Sequence, residues 1–346
     1  MDNILIGDRI IGSSNRPFII AEMSGNHNQS LERALAIVDA AAEAGVDAIK
    51  LQTYTAETIT IKGSFVINDE NSLWNGKELY QLYSEAYTPW EWHQPIFNRA
   101  KEKGILAFSS PFDISAVDFL ESLNVPAYKI ASFENTDWTL LKKVARTGKP
   151  VIISTGVSNI SDLDESIRLL RGEGCKDLIV LKCTSTYPAS PEHTNLRTIP
   201  VMQKMFNCIV GLSDHTMGIG VSVAAIALGA RVIEKHFTLS RSEGGVDSAF
   251  SLEPAELKLL VSEAERAFLG LGKIQFGIQA SEVKSSHFKR SLFLTKDILA
   301  GEFFTESHIQ SFRPALGIET KYLENIVGRK SRVDLKKGTP ITWDLI

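Results

Sequence analysis

Two apolar segments of the 346-residue chain end in polar, chemistry-bearing residues: Ile209-Val-Gly-Leu-Ser-Asp-His215 and Arg231-Val-Ile-Glu-Lys-His-Phe237. They put His215 and His236 one β-α unit apart, where two neutral imidazoles can bind one divalent metal ion, a donor type that suits Mn²⁺, Zn²⁺ or Fe²⁺. Two ligands alone make a weak site, and two histidines hydrogen-bonded within a polar mouth fit the same pattern. Asp214 and Glu234 stand beside them as further ligands or supporting groups, and His27, between Asn26 and Asn28, is either a site residue or a loop residue. Lys50, Lys129 and Lys182 form a second constellation, each closing a different apolar segment, with the hydroxyls of Ser132, Ser154, Thr155 and Ser213 for company. Ammonium groups among hydroxyl donors fit a small, strongly anionic substrate bearing phosphate and carboxylate. A Schiff-base lysine is a competing reading, as are structural bridges from these lysines to Glu22, Glu134 and Glu234. Glu22 and Glu234 suit general acid or base work if the pocket raises a carboxyl pKa toward neutrality. Cys183 is either a nucleophile or a buried thiol. With Cys175 and Cys208 it makes three cysteines without C-x-x-C spacing, so neither a disulfide framework nor a zinc knuckle follows.

The elements that must position these groups follow one pattern, a short β-branched segment closing on polar residues and then a helical stretch. The segments are Phe18–Ser24, Ala48–Thr53, Leu106–Pro111, Ala127–Ser132, Val151–Thr155, Leu178–Thr184, Ile209–His215 and Arg231–Phe237. Eight such units predict an α/β fold, a (β/α)8 TIM barrel with its active site at the carboxyl ends of the strands. Alternation along each strand predicts the inward residues: Glu22, Lys50 with Gln52, Ser109, Lys129, Ser154, Lys182 with Thr184, Ser213 with His215, and Glu234 with His236. Lys235 alternates outward. Glu22, Lys50, Lys129, Glu234, His215 and His236 are the catalytic candidates, and Gln52, Lys182 and Thr184 join the serines and Thr155 as substrate-binding candidates.

Residues 1–17 read as a hairpin covering the barrel's bottom, the first part of a barrel domain spanning residues 1–272. The long stretch from Ala56 to Trp90, containing Asn71-Ser-Leu-Trp-Asn-Gly76, suits a specificity loop or lid. A helix over Pro254–Gly270 closes the barrel, residues 273–284 form a linker, and 285–346 form a small β-rich module. In that module Arg313, within Ser311-Phe-Arg-Pro-Ala-Leu-Gly317, is either an anion- or hydroxyl-recognising residue or a solvated surface arginine. A net charge of −4 offers no global attraction for nucleic acid or an anionic membrane, so anion binding must come from local lysines. Neither a signal peptide nor a spanning segment is visible, which predicts a cytoplasmic protein with no nucleic-acid or membrane partner.

Ala21-Glu-Met-Ser-Gly-Asn-His-Asn28, Lys50-Leu-Gln52, Tyr128-Lys-Ile-Ala-Ser132, Ile153-Ser-Thr-Gly156, Cys183-Thr-Ser-Thr-Tyr-Pro188, Gly211-Leu-Ser-Asp-His-Thr216, Glu234-Lys-His-Phe237 and Ser251-Leu-Glu-Pro254 resemble the sialic acid synthase family. The tail, with Arg290-Ser-Leu292 and Arg313-Pro314, is similar to its antifreeze-like (SAF) domain. The resemblance implies a transferase that condenses phosphoenolpyruvate with an open-chain amino sugar to give a nine-carbon 2-keto acid and phosphate. It implies His215 and His236 as ligands of Mn²⁺, with Mg²⁺ or Co²⁺ as alternatives. It implies Lys50, Lys129, Ser132, Ser154 and Ser213 as phosphoenolpyruvate contacts, and Glu22, Tyr187 and Asp247 near the sugar. A homodimer follows from it too, with the tail of one copy swapped onto the other so that Arg313 reaches the partner's site, and a product destined for flagella or surface glycans.

Trp74-Asn-Gly-Lys-Glu-Leu-Tyr80 and Ala86-Tyr-Thr-Pro-Trp-Glu-Trp92 look like the branch that makes pseudaminic acid, as do Lys182 ahead of Cys183 and Gly245-Val-Asp-Ser-Ala-Phe-Ser251. That points to a 6-deoxy diacetamido hexose acceptor whose deoxy carbon packs near Phe250. A sialic or legionaminic acid synthase is the nearest rival, and a Schiff-base aldolase or a non-catalytic glycan-binding protein the remote ones.

Overall fold

In the computed structural model, which describes residues 3–70 and 74–346, the chain begins with an antiparallel hairpin of Ile4–Ile6 and Arg9–Ile11. Asn71, Ser72 and Leu73 of the predicted loop lie outside the described residues. Ile4, Ile6 and Ile11 are buried in the main core, and the Arg9 guanidinium reaches the Gly104 carbonyl just before the third barrel strand. The hairpin therefore lies against the amino-terminal end of the barrel.

Eight parallel strands follow and close on themselves: β1 Phe18–Glu22, β2 Ala48–Thr53, β3 Leu106–Pro111, β4 Tyr128–Ile130, β5 Val151–Ser154, β6 Leu178–Cys183, β7 Ile209–Asp214 and β8 Val232–His236. All eight predicted segments are strands, trimmed at some ends by a residue or two. The β-branched runs favour this because their side chains pack well on a pleated surface buried on both faces. Their outward residues, such as Ile130, Ile153 and Val180, pack under the helices, and each fully buried Ile or Leu there contributes about 1.5–3 kcal/mol. Gly211 in β7 is required by proximity, since a Cβ there would collide with the Val232 carbonyl and with Leu181.

Helix boundaries obey local chemistry. The Ser30 hydroxyl accepts from the Arg33 amide to start Leu31–Ala44, which ends where Gly45 turns left-handed at φ 88°. The last helix of the barrel unit is Pro254–Leu271, opened by Pro at its first position and a Glu253/Glu256 capping box. No helix among the described residues is long and apolar enough to cross a membrane.

The chain divides into two compact units, one ending at Gly272 and the other spanning Lys273–Ile346. The second pairs Ser291–Leu294 antiparallel with Ile309–Phe312 around a core of Leu292, Leu294, Phe304, Ile326 and Ile341.

Candidate active site at the carboxyl ends of the strands

Strand register decides which side chains meet at the barrel axis. Glu22 pairs with Lys50 and with His236, Ser213 with Glu234, and Lys129 with Ile152 two residues before Ser154, so these positions share the inner face. Two strands run one residue out of phase with the sequence-based expectation. On β3, Lys50 pairs with Phe108 and donates to Ser110 at 3.1 Å, so Ser110 faces the axis. Ser109 instead points outward to Thr53 at 2.6 Å, and Thr53 meets His93 Nε2 at 2.8 Å. On β6, Cys183 pairs with inward Ser213, so Lys182 and Thr184 lie on the outer face, contrary to expectation. The Lys182 ammonium closes there on the Cys183 carbonyl at 2.9 Å and the Thr184 hydroxyl at 3.3 Å.

At the centre sit two carboxylates and two ammonium groups. Lys50 Nζ lies 2.5 Å from Glu22 and 3.8 Å from Glu234, and Lys129 Nζ lies 3.3 Å from Glu234. All four are almost wholly buried. Burial raises the Glu22 pKa, only partly offset by Lys50. For Glu234, burial is outweighed by Lys129 and Lys50, so it stays ionised below the ordinary carboxyl range. Burial lowers Lys129, whereas Lys50 is held above its usual value by Glu22 and Glu234 against the burial cost. The Glu22 carboxyl also accepts from the Ser24 amide at 3.0 Å, and Glu234 from the Ser213 hydroxyl at 3.1 Å. Lys50 and Lys129 are thus paired with carboxylates, as the structural reading of the sequence allowed, and the pairs sit at the barrel axis.

Hydroxyls ring this group. Ser132 Oγ accepts from the Gly156 amide and Thr155 Oγ1 from the Cys183 amide, each at 3.1 Å. Ser154 Oγ is buried with no hydrogen-bond partner among the described residues. Asn135, which sequence reasoning missed, holds the loop after β5 by donating to the carbonyls of Ser154 and Gly156 at 3.0 and 3.2 Å. Gln52 follows Lys50 on the inner face and is half-buried.

The imidazoles of His215 and His236 have ring centroids 5.3 Å apart. His215 Nδ1 lies 3.0 Å from the Thr184 carbonyl and 3.9 Å from Cys183 Sγ, so that nitrogen carries a proton, and Nε2 is the nitrogen that offers a lone pair when the ring is neutral. His236 Nδ1 is buried with no hydrogen bond, and the Asp247 carboxylate is 4.0 Å away. Lone pairs without donors in a buried pocket fit a divalent cation that keeps open positions for other ligands. No third His, Cys, Asp or Glu completes a metal-binding group among the described residues. Asp214, an expected candidate for that role, faces away: its carboxylate takes Thr216 and Ser222. His27 also stays out, buried against Trp92 and accepting the Gln29 amide at 3.2 Å, with burial pulling its pKa down to about 4.

An aromatic rim borders the imidazoles. Tyr187 lies 4.5 Å from His215 and 5.3 Å from Phe250, and Phe250 lies 4.9 Å from His236. Trp74, from the long stretch after β2, stands 6.0 Å from Tyr187 and donates to the Val246 carbonyl, so that stretch does reach the site. Asp247 is buried beneath the rim and bonded to Ser24 Oγ, and burial lifts its pKa. In the second unit Arg313 is exposed and makes no hydrogen bond or ion pair among the described residues. Gly317, four residues on, has to be glycine because a Cβ would strike the Leu292 carbonyl at 2.5 Å.

Comparison with known proteins agrees with this geometry. The chain is 44% identical over 334 residues to the pseudaminic acid synthase of Campylobacter jejuni, covering 95% of this chain and 97% of that one. An N,N'-diacetyllegionaminic acid synthase of the same organism is 35% identical over 93% of this chain and 98% of its own length. The crystal structure of N-acetylneuraminic acid (sialic acid) synthetase from Leptospira borgpetersenii superposes with a TM-score of 0.74 at 35% identity, covering 82% of this chain and 95% of that one. Residues 289–346 match the SAF domain. Residues 37–276 match the NeuB family, and with these relatives spanning nearly its whole length, the chain belongs to the NeuB family.

Proposed function

We propose that the chain is a pseudaminic acid synthase. It condenses phosphoenolpyruvate with the open-chain aldehyde of 2,4-diacetamido-2,4,6-trideoxy-β-L-altropyranose and water, giving pseudaminic acid and phosphate by C–O cleavage. The observation that carries this reading is the greater full-length identity to a pseudaminic acid synthase than to a legionaminic acid synthase of the same organism. The paired Lys50 and Lys129 among serine hydroxyls suit the anionic donor.

In this reading Lys50 and Lys129 take the phosphate and carboxylate of phosphoenolpyruvate, with Ser132, Ser154 and Ser213 completing the cradle. Ser154 Oγ, buried and without a hydrogen-bond partner among the described residues, can donate there. C3 of phosphoenolpyruvate forms the new bond to the aldehyde carbon, water adds at C2, and the C2–O bond breaks to release phosphate. Glu22, whose pKa burial raises, can hold or release a proton beside the reacting carbons, while ionised Glu234 orients Lys129 and Ser213. His215 and His236 would hold a divalent cation, Mn²⁺ first, which when bound supplies Lewis-acid polarisation of the aldehyde. Tyr187, Asp247 and Phe250 face the sugar, and Phe250 offers an apolar seat for its 6-deoxy carbon. We further propose a homodimer in which Arg313 of a second copy approaches the sugar, and a product used in flagellin or surface glycosylation.

Phosphate release from phosphoenolpyruvate tests this, with Mn²⁺ or EDTA and three acceptors: the altrose sugar, N-acetylmannosamine and a diacetamido mannose. Metal-dependent turnover of the altrose sugar is expected. Preference for a manno sugar would move the chain to another branch.

A further inference from the structure

Behind the two histidines, on the outer face of β7 and β8, lies a second charged pair that the proposed reaction does not touch. Lys235 and Asp214 are register partners whose side chains are each 1% exposed, with Nζ 3.1 Å from Oδ2. The Asp214 carboxylate also accepts from the Thr216 amide at 2.9 Å, the Thr216 hydroxyl at 2.8 Å and the Ser222 hydroxyl at 2.6 Å, on the helix Gly220–Ala227. Lys235 donates in addition to the Thr216 carbonyl.

These bonds bracket the imidazoles. Asp214 precedes His215 and Thr216 follows it, so both flanks of His215 are tied to one ammonium, whose next residue is His236. On its inner side the turn carrying His215 is held by Nδ1, which meets the Thr184 carbonyl at 3.0 Å and Cys183 Sγ at 3.9 Å, and by the Ala189 amide on the His215 carbonyl. A buried ion pair is a poor source of stability, because desolvation consumes most of the Coulombic gain and apolar isosteres often do as well. Converging charge-assisted bonds do, however, select one backbone geometry, and outer groups that orient metal-binding side chains tune affinity about 10–100-fold.

We infer that Lys235 and Asp214 are positioning residues that set the separation of His215 and His236, and thereby the affinity of the site for a divalent cation. The inference rests on the metal-binding reading of those histidines. It is tested by calorimetric titration of Mn²⁺ into the full-length, metal-stripped protein, alongside thermal unfolding without metal, for wild type, Lys235→Met, Ser222→Ala and His215→Ala. Ser222→Ala removes a single donor and keeps the charges, which guards against a Lys235→Met protein that does not fold. The expected result is Mn²⁺ binding abolished in His215→Ala, weakened about tenfold or more in Lys235→Met and severalfold in Ser222→Ala, with phosphoenolpyruvate binding in EDTA within twofold of wild type in Lys235→Met and Ser222→Ala. Melting temperatures that fall while Mn²⁺ affinity holds would make the pair purely structural and overturn the inference. Wild-type Mn²⁺ binding that survives His215→Ala would overturn the metal-site reading instead, a separate failure.

Discussion

Both ends of the barrel bury a carboxylate against cations, and they do so in opposite ways. At the bottom, Asp47 accepts from the Ile19 amide at 2.9 Å and from both terminal nitrogens of Arg16 at 2.6 and 3.2 Å, and the arginine remains in contact with solvent. Its hydrogen bonds are complete. At the carboxyl ends of the strands, Glu22, Glu234, Lys50 and Lys129 are all immersed, while Glu234 Oε2, Ser154 Oγ and His236 Nδ1 have no hydrogen-bond partner among the described residues. Unfilled hydrogen-bonding capacity in a buried site costs free energy. At the bottom the unpartnered atoms among the described residues are Nε donors of the half-buried Arg9 and Arg231, whereas at the carboxyl ends they are lone pairs and a hydroxyl gathered at the barrel axis, where a ligand can complete them.

The largest effect expected from this contrast is at the centre. Lys129→Met should lower kcat/KM for phosphoenolpyruvate by about 10²–10³, since it removes a preorganised cation from a buried site. Steady-state phosphate release measures it, and a loss under tenfold would end the contrast at that residue.

At the bottom, Asp47→Ala should cost about 2–3 kcal/mol in urea unfolding, because it leaves the Ile19 amide and the Arg16 guanidinium without their acceptor. Turnover of the folded enzyme should stay within about twofold. Activity lost in step with Lys129→Met would show that the two ends are not separable.

A pH series separates the frame of the reactive end from its interior. Burial pulls His27 and His93 from 6.5 down to about 4, so between those values the unfolded chain binds protons that the folded chain excludes. Stability should therefore be full above pH 6.5 and fall as the pH drops toward 4, by on the order of 2 kcal/mol for each histidine. His93→Gln should flatten that dependence, and an unchanged slope in urea titrations would remove His93 from the account.

The smallest effect belongs to the rim. Phe250→Ser should shift relative kcat/KM from the 6-deoxy acceptor toward a 6-hydroxy analogue by about tenfold, the scale of one apolar contact. An unchanged preference would take Phe250 out of acceptor selection.

The strands were legible because each is a short apolar run, β-branched in all but Leu106–Pro111, closing on polar residues, and neither the apolar nor the polar part needs a distant partner to be recognised. Inward parity was legible where polarity marks one face, as at Glu22, Lys50, Lys129, Ser213 and Glu234. It slipped at Ser109, where Ser109 and Ser110 are adjacent and polarity cannot choose between them. It slipped again at Lys182, where the charged residue is the outward one and the inward one is a thiol. The groups that were missed, Asn135 and the Thr53–His93 contact, act on partners 19 and 40 residues away that carry no local pattern. Asp214 was left between ligand and supporting group, because a carboxylate beside a histidine fits both, and the register that turns it outward favours the second.

The hairpin of Ile4–Ile6 and Arg9–Ile11 has a kinetic consequence. It covers an end of the barrel whose interior is already filled by side chains such as Phe108, Ile152 and Ile179, so whatever reaches Lys50 and Lys129 approaches from the carboxyl ends of the strands. A bulky nine-carbon product seated at that end would hold newly formed phosphate behind it, and its departure would then pace each cycle.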